Sequence, residues 1–408
     1  MLIPRSSASH VAEMARQFPV LVLSGARQVG KTTLARELFP KHAYVSLDLP
    51  SLAELAERAP ADFLTRFPPP VVIDEVQYAP AIFRHIKARV EEQRHAMGRF
   101  VLTGSQRFVL MQAVSESLAG RASIIELETL GWDEILSAGG SPHSMGGLAS
   151  VLVRGGFPEL WRNPEIDLDA FYSSYLATYL ERDVRQIVNV ASLRDFERFI
   201  RACAARNAQL LDKTAIASDV GVSVKAVTSW LNVLQASDQV ALLEPWFANW
   251  GKRLVKTPKL YFKDTGLLCF LLGLTPQTLP TSPFVGSLWE TAVFAELRKR
   301  RSLAGGRQSL WFYRDAQGRE VDFMLLAGGQ ASLVECKWTD VPNIGDARAM
   351  LEVMTLARER RNPELARPRA FVACRTPHPH PLTENVTGIG PGELGQVFTQ
   401  NPFQNGRR

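Results

Sequence analysis

Cysteine is scarce in this chain of 408 residues: there are four, Cys203, Cys269, Cys336 and Cys374, and no CxxC pair. That excludes a disulfide framework and a cysteine-rich zinc site, and it suits a reducing compartment. Each thiol is then expected as a small buried hydrophobe. A run of about 18 apolar residues, the length needed to cross a bilayer, is also missing. The opening MLIPRSSASH lacks the apolar core of a secretory signal. The expectation is a cytoplasmic protein with no membrane partner. Charge of one sign is not dominant either. The net charge is +6, and residues 1–140 carry equal numbers of basic and acidic side chains, with excesses of +2 over 141–280 and +4 over 281–408. A mildly basic C-terminal part is compatible with a nucleic-acid partner, because cations that neutralise phosphates release counterions. A solvated arginine-rich surface accounts for it equally well.

What is present is a globular composition, 46% hydrophobic and 22% charged, over a length that accommodates two or three domains. Residues 1–137 alternate short apolar runs with amphipathic stretches: PVLVLS (19–24), YVSL (44–47), PVVID (70–74), RFVLTG (99–104) and SIIEL (123–127) read as buried strands, with KTTLARELF (31–39) and AIFRHIKARVEEQ (81–93) as helices between them. Such alternation predicts α/β architecture with a parallel sheet covered by helices. The Gly/Ser-rich stretch 137–147 reads as a linker. Residues 150–275 read as mainly helical. After the break LTPQTLPTSPF, residues 284–376 read as helix, three strands, helix and strand. The Pro-, Gly- and Asn-rich residues 377–408 read as a poorly ordered tail.

The sharpest motif is Gly25-Ala26-Arg27-Gln28-Val29-Gly30-Lys31-Thr32, which fits GxxxxGK(S/T) between a strand and a helix. Glycines at those positions let the backbone curl until its N–H groups face phosphates at the positive end of the next helix. Gly25 through Thr33 are therefore the candidate nucleotide-binding residues. Lys31 supplies a point charge to the β- and γ-phosphates, and the Thr32 hydroxyl is a candidate Mg²⁺ ligand. About 50 residues on, Val71-Val72-Ile73-Asp74-Glu75 delivers Asp74 to the same metal and Glu75 to the attacking water. Thr103 and Ser105, at the end of RFVLTGSQ, are candidate γ-phosphate sensors. Arg121, in Leu118-Ala119-Gly120-Arg121, is a candidate arginine finger acting on a neighbouring subunit of a homo-oligomer; a salt-bridged surface arginine is the alternative.

In the middle region, Lys213–Val220, Gly221-Val222-Ser223 and Val224–Ala236 read as helix, tight turn, helix, with VALLEPW (240–246) as a wing. Ser223, Lys225, Ser229 and Trp230 then fall on or near a recognition helix. The helix holds one lysine and no arginine, so structural use competes with DNA contact. Further on, Glu335 and Lys337 share one face of the strand SLVECK, and Asp322 lies on the preceding strand, joined through the AGGQ turn (327–330). This is the D-x(n)-(D/E)-x-K arrangement of a restriction-endonuclease-like α/β domain. There two carboxylates hold Mg²⁺ or Mn²⁺ against a scissile phosphate, and the lysine stabilises charge. Glu290, in the preceding helix, is carried over by position as a third metal ligand. Asp322, Glu335 and Lys337 are the candidate nuclease residues, and an ordinary Glu–Lys ladder or a vestigial site is the alternative.

SGARQVGKTTL, VIDEVQ, LTGS, LAGR and LETLGWDEIL together resemble bacterial and archaeal AAA-like P-loop ATPases that carry a C-terminal domain of unknown function. YLERDV, LYFKDTGLL and GSLWETAVFAEL extend the likeness over nearly the whole chain. The resemblance implies an ATPase fold with ATP and Mg²⁺. ATP over GTP also fits the lack of an (N/T)KxD guanine-reading motif. Two functions then compete. In one, ATP hydrolysis is coupled to a DNA-directed module, a nuclease or a remodelling activity, with double-stranded DNA as the partner. In the other, a nucleotide-controlled switch or assembly ATPase uses its C-terminal domain to bind a partner without catalysis.

Overall fold

Strands buried on both faces need apolar side chains at every position, so they read as continuous hydrophobic runs rather than alternating ones. Three such runs, flanked by two partly exposed edge strands, form the first sheet of the protein, seen in a computed structural model that describes residues 2–105, 114, 116–142, 145–179, 193–246, 256–303, 309–327, 330–359, 361 and 364–398. They are β1 (Val20–Ser24), β2 (Ala43–Ser46), β3 (Val71–Asp74), β4 (Phe100–Gly104) and β5 (Ala122–Glu126), all parallel, in the order β2-β3-β4-β1-β5. Each lies within a residue or so of its expected position. Period-two alternation divides their side chains between the two faces. Val20, Val22, Val71, Ile73, Phe100 and Leu102 pack with Ile82, Phe83, Ile86 and Val90 of the helix Ile82–Glu92. Leu21, Leu23, Val72, Val101 and Ile125 pack with Val11, Leu34 and Ala35. Burying each large aliphatic or aromatic side chain contributes about 1.5–3 kcal/mol.

The chain divides into two units. The first comprises Met1–Leu130, Phe157–Asn163 and Asn232–Gln239, and the second Gly131–Gly156, Pro164–Leu231 and Val240–Arg408. These boundaries differ from those read off the sequence, because Gly/Ser-rich stretches mark surface loops and say nothing of which distant segments return to a core.

The expected helix pair is formed by Lys213–Val220, in the second unit, and Val224–Ala236, whose last residues from Asn232 on belong to the first; Asp212 caps the first helix through its carboxylate and Gly221 ends it in the left-handed conformation. A three-stranded antiparallel sheet accompanies the pair, β6 (Gln209–Leu210), β7 (Val240–Leu243) and β8 (Lys259–Phe262), in the order β6-β8-β7. The C-terminal sheet follows the expected helix-strand-strand-strand-helix-strand order. The helix Val285–Leu303 leads to β9 (Ser309–Arg314), β10 (Glu320–Ala327) and β11 (Gln330–Cys336), then the helix Arg348–Glu359 and β12 (Arg369–Ala373). β10 and β11 are antiparallel with Ala327 opposite Gln330; Gly328 and Gly329 of the turn expected there lie outside the described residues.

The tail differs from expectation. Residues 377–398 continue into β13 (His380–Thr383) and β14 (Val386–Ile389), which complete the order β13-β14-β12-β11-β10-β9, and into the 3₁₀ segment Pro391–Val397. Proline misleads here because β13 is an edge strand, where a missing N–H disrupts no ladder, so Pro381 is tolerated. Residues 399–408 lie outside the described residues. All four cysteines are free, and Cys203, Cys269 and Cys374 are buried, as expected of structural thiols.

One polar knot fixes the helical part of the second unit. The buried Asp264 carboxylate accepts from Gly156 N (2.8 Å), Leu267 N (3.0 Å) and the Tyr172 hydroxyl (3.2 Å). Asp264→Ala strands the two buried backbone N–H groups, so we expect a loss of about 2 kcal/mol or more in urea unfolding of this unit. Unchanged stability would show that the knot is dispensable.

Candidate functional site

Between β1 and the helix Lys31–Leu38, the backbone turns through left-handed values at Gln28 (φ 62°) and Gly30 (φ 95°). Gly25 has φ 143°, and a Cβ there would stand 2.2 Å from the Leu127 carbonyl oxygen, so no other residue fits. Lys31 is 5% exposed, and its ammonium donates to the carbonyls of Gly25 (3.0 Å) and Ala26 (2.7 Å). Burial pulls the Lys31 pKa down, while the charges of Glu75, Asp74 and Asp238 push it back up. Val29 is buried, Ala26 and Arg27 are half-buried, and Gln28 and Thr33 are exposed.

The strand order explains the rest of the constellation. β4 lies between β1 and β3, so Thr103 at its end stands beside both the loop and Asp74. Asp74 is 5% exposed and collects three hydroxyls: Thr32 donates to Oδ1 (2.8 Å), Thr103 also donates to Oδ1, and Tyr44 donates to Oδ2 (2.9 Å). Partial burial and the bond to Asp74 push the Tyr44 phenol up to about 12. Glu75 has φ 55°, a strained conformation for a residue other than glycine. Its carboxylate accepts from Gln77 and from Ser105 (3.2 Å), and its N–H donates to the Thr103 hydroxyl (3.3 Å). The structure thus brings Lys31, Thr32, Asp74, Glu75, Thr103 and Ser105 together.

Besides Gln77, four residues at this site escaped sequence reasoning. Arg5 donates to the carbonyls of Val29 (2.6 Å) and Glu128 (2.7 Å), bracing the loop from the N-terminal segment. A Cβ on Gly30 would lie 3.4 Å from the Arg5 guanidinium and 3.9 Å from Pro158. Asp238, buried with φ 64°, bears on Lys31 electrostatically. Tyr44 is the fourth, and only its place on β2 beside β3 reveals it. Arg121, expected to act on a neighbouring subunit, has intrachain partners. Its guanidinium pairs with Glu91 and donates to the Ala119 carbonyl (3.0 Å), the surface salt bridge held as the alternative to a finger.

The C-terminal candidates form a different kind of centre. β8 carries Lys259, 2% exposed, whose ammonium contacts Glu290 (2.8 Å), Glu320 (2.5 Å) and Asp322 (3.5 Å). The Tyr261 hydroxyl, two residues along the same strand face, also donates to Glu290. The second oxygen of Asp322 accepts from Cys336 N (2.8 Å), and Lys337 pairs with Glu335 (2.9 Å). Burial alone would lower the Lys259 pKa, but Glu290, Asp322 and Glu320 outweigh it and raise it. Burial and the Asp322 charge push Glu290 up to about 7 and Glu335 up to about 8. The expectation that Glu290, Asp322 and Glu335 form a metal site is not met. Among the described residues no group of three or more His, Cys, Asp or Glu side chains is placed to hold a metal ion. The physical reason is Lys259, which the sequence reading did not consider and which occupies the space between the acids. A lysine opening the strand KLYF, among apolar neighbours, was the available signal.

Residues 17–136 match the family described as AAA domain. The match supports an AAA-like P-loop ATPase. Residues 145–278 and 285–387 match two families described as domains of unknown function, DUF8612 and DUF4143. Similar curated proteins are the uncharacterized proteins Mb2031c of Mycobacterium bovis and Rv2008c of Mycobacterium tuberculosis. Each is 29% identical over 395 residues, which is 95% of this chain and 84% of the relative. Among solved structures, the Walker-type ATPase PABY2304 of Pyrococcus abyssi is 15% identical with a TM-score of 0.42, covering 66% of this chain and 96% of its own. The STAND protein PH0952 of Pyrococcus horikoshii, with a tetratricopeptide repeat sensor, is 13% identical with a TM-score of 0.26, covering 75% and 52%.

Outside the AAA-like unit, the helix pair loses one of its candidate contact residues. Trp230 is 7% exposed and packs edge-on against Phe196 and Phe199, so it serves the core. No helix among the described residues is long and apolar enough to cross a membrane. For the AAA-like unit itself, Gly25→Ala should abolish nucleotide binding while circular dichroism stays near wild type. Binding of a fluorescent ATP analogue checks this, and wild-type affinity in the variant would show that the loop tolerates a Cβ.

Proposed function

We propose that this protein binds ATP with Mg²⁺ and hydrolyses it, and that its C-terminal region acts as a nucleotide-controlled module that binds a partner without cutting nucleic acid. The first half rests on one observation, the convergence of Thr32, Asp74 and Thr103 with Glu75 and Ser105 beside the Gly25–Lys31 loop.

The loop N–H groups at the start of the helix Lys31–Leu38 cradle the phosphates. Lys31 exchanges the Gly25 and Ala26 carbonyls for β- and γ-phosphate oxygens, so its buried charge gains anionic partners in place of neutral ones. Thr32 and Asp74, already 2.8 Å apart, suit Mg²⁺, which neutralises charge on the phosphates when bound. Thr103 and Tyr44 hold the Asp74 carboxylate in place for that role. Glu75 accepts a proton from the attacking water, and Ser105 and Gln77 set its direction.

The second half of the proposal, a binding module in preference to a DNA-directed nuclease, is favoured by Lys259. The acids that a metal-dependent cleavage site needs are engaged by an internal ammonium. One set of tubes tests both halves: ATP turnover with and without double-stranded DNA, followed by the DNA on a gel. Lys31→Ala should lose nucleotide binding and turnover. Glu75→Gln should keep binding but turn over about 10²-fold or more slowly. Undiminished hydrolysis in Lys31→Ala would overturn the ATPase reading. Asp322→Ala should leave turnover intact. DNA cleavage by wild type with Mg²⁺ or Mn²⁺ that disappears in Asp322→Ala would overturn the non-catalytic half.

A further inference from the structure

In a restriction-endonuclease-like site, a divalent cation resolves the repulsion between carboxylates brought together on neighbouring elements. This chain brings the same kind of carboxylates together and resolves the repulsion in another way. Glu290 projects from the helix Val285–Leu303, and Glu320 and Asp322, two residues apart, share a face of β10. Into the space between them β8 inserts Lys259, which reaches all three acids. We propose that the Lys259 ammonium is the resident cation of this cluster, standing where a divalent ion would stand and clamping β8 to the helix and to the C-terminal sheet. This rests on reading the sheet as restriction-endonuclease-like and deepens the non-catalytic reading above.

Three further observations fit a built-in cation. The side chain is seated as part of the core, for Tyr261 on the same strand stacks on Phe294 at 4.2 Å between ring centroids. Phe294 is one helical turn beyond Glu290, so strand and helix meet through a polar and an apolar contact side by side. Several of the acids' oxygens are engaged: Glu290 Oε1 takes Lys259 and Tyr261, and Asp322 takes Lys259 on one oxygen and Cys336 N on the other. Finally, a second side-chain cation, Arg314, pairs with Glu320 (2.8 Å) at the margin of the cluster, so its acids are balanced from within the chain. One oxygen of Glu335, Oε2, is buried without a hydrogen-bond partner, so Glu335 is where an added cation would be felt.

Removing Lys259 should therefore open a divalent site. Mn²⁺ is titrated into the nucleotide-free full-length protein and followed by electron paramagnetic resonance, in an Asp74→Asn background that disables the phosphate-loop metal site. With Lys259 present, no Mn²⁺ is expected to bind more tightly than millimolar. Lys259→Ala should bind one Mn²⁺ at least 10-fold more tightly, and Asp322→Asn added to it should abolish that gain. Mn²⁺ should also raise the melting temperature of Lys259→Ala and leave that of Lys259→Arg unchanged. If Lys259→Ala folds and gains no Mn²⁺ site, the proposal is overturned. If it does not fold, the protein with Lys259 decides: tight Mn²⁺ binding there, lost in Asp322→Asn, overturns the proposal. DNA added to the same samples separates the two readings, because cleavage by the Lys259-containing protein would sink the non-catalytic reading, whereas the Mn²⁺ arms judge Lys259 alone.

Discussion

A carboxylate taken out of water must be given donors, and at Asp74 that requirement organises the whole nucleotide unit. Its donors come from the helix after the phosphate loop, from β2 and from β4, while Asp74 itself ends β3. One side chain thus ties three neighbouring strands and the loop-bearing helix at the edge beside the glycine-rich loop. The sheet order makes this possible, because β4 between β1 and β3 supplies Thr103 at the junction. Glu75, the next residue, is held in a left-handed conformation and fastened by Ser105 and Gln77, so its carboxylate has little freedom.

The two centres meet one electrostatic problem in opposite ways. Near the phosphate loop, a lysine is held by neutral carbonyls with acids at the margin, and burial depresses its pKa; such an ammonium is ready for stronger anionic partners. In the C-terminal region, Lys259 already has three acids against it and its pKa is raised. One cation is held by neutral carbonyls and the other by acids. Both are buried lysines on apolar strands or helices, and only their neighbours distinguish them.

Those neighbours decide how much was legible beforehand. The five parallel strands could be read because hydrophobic runs of fixed length leave few alternatives, and the loop because glycine, lysine and threonine at fixed spacing answer to backbone geometry. Glu335 falls on β11 and Asp322 on its antiparallel partner β10, as local periodicity implies, whereas Lys337 lies just past the end of β11. What could not be read are contacts between distant segments. Arg5 reaches Glu128 across 123 positions, and Lys259 reaches Asp322 across 63. The carboxylates alone suggested a metal, because nothing local to them announces the lysine that fills the gap. Arg121 shows the same limit, since its partner Glu91 lies on a separate helix. The Pro-rich C-terminal stretch was misread for another reason: composition cannot tell an edge strand from a loose tail.

The nucleotide unit is also discontinuous. Its strands end with β5, yet Phe157–Asn163 and Asn232–Gln239 belong to it, and they bring Pro158 to Gly30 and Asp238 to the field around Lys31. A chain emerging from the ribosome therefore assembles the sheet long before it can finish the pocket. During the synthesis of roughly the next hundred residues, at about 5–20 residues per second, the phosphate loop exists without its later-made wall. For that interval the nascent chain would hold Gly30 without Pro158 beside it and Lys31 without the charge of Asp238, so the surroundings of the loop are completed last.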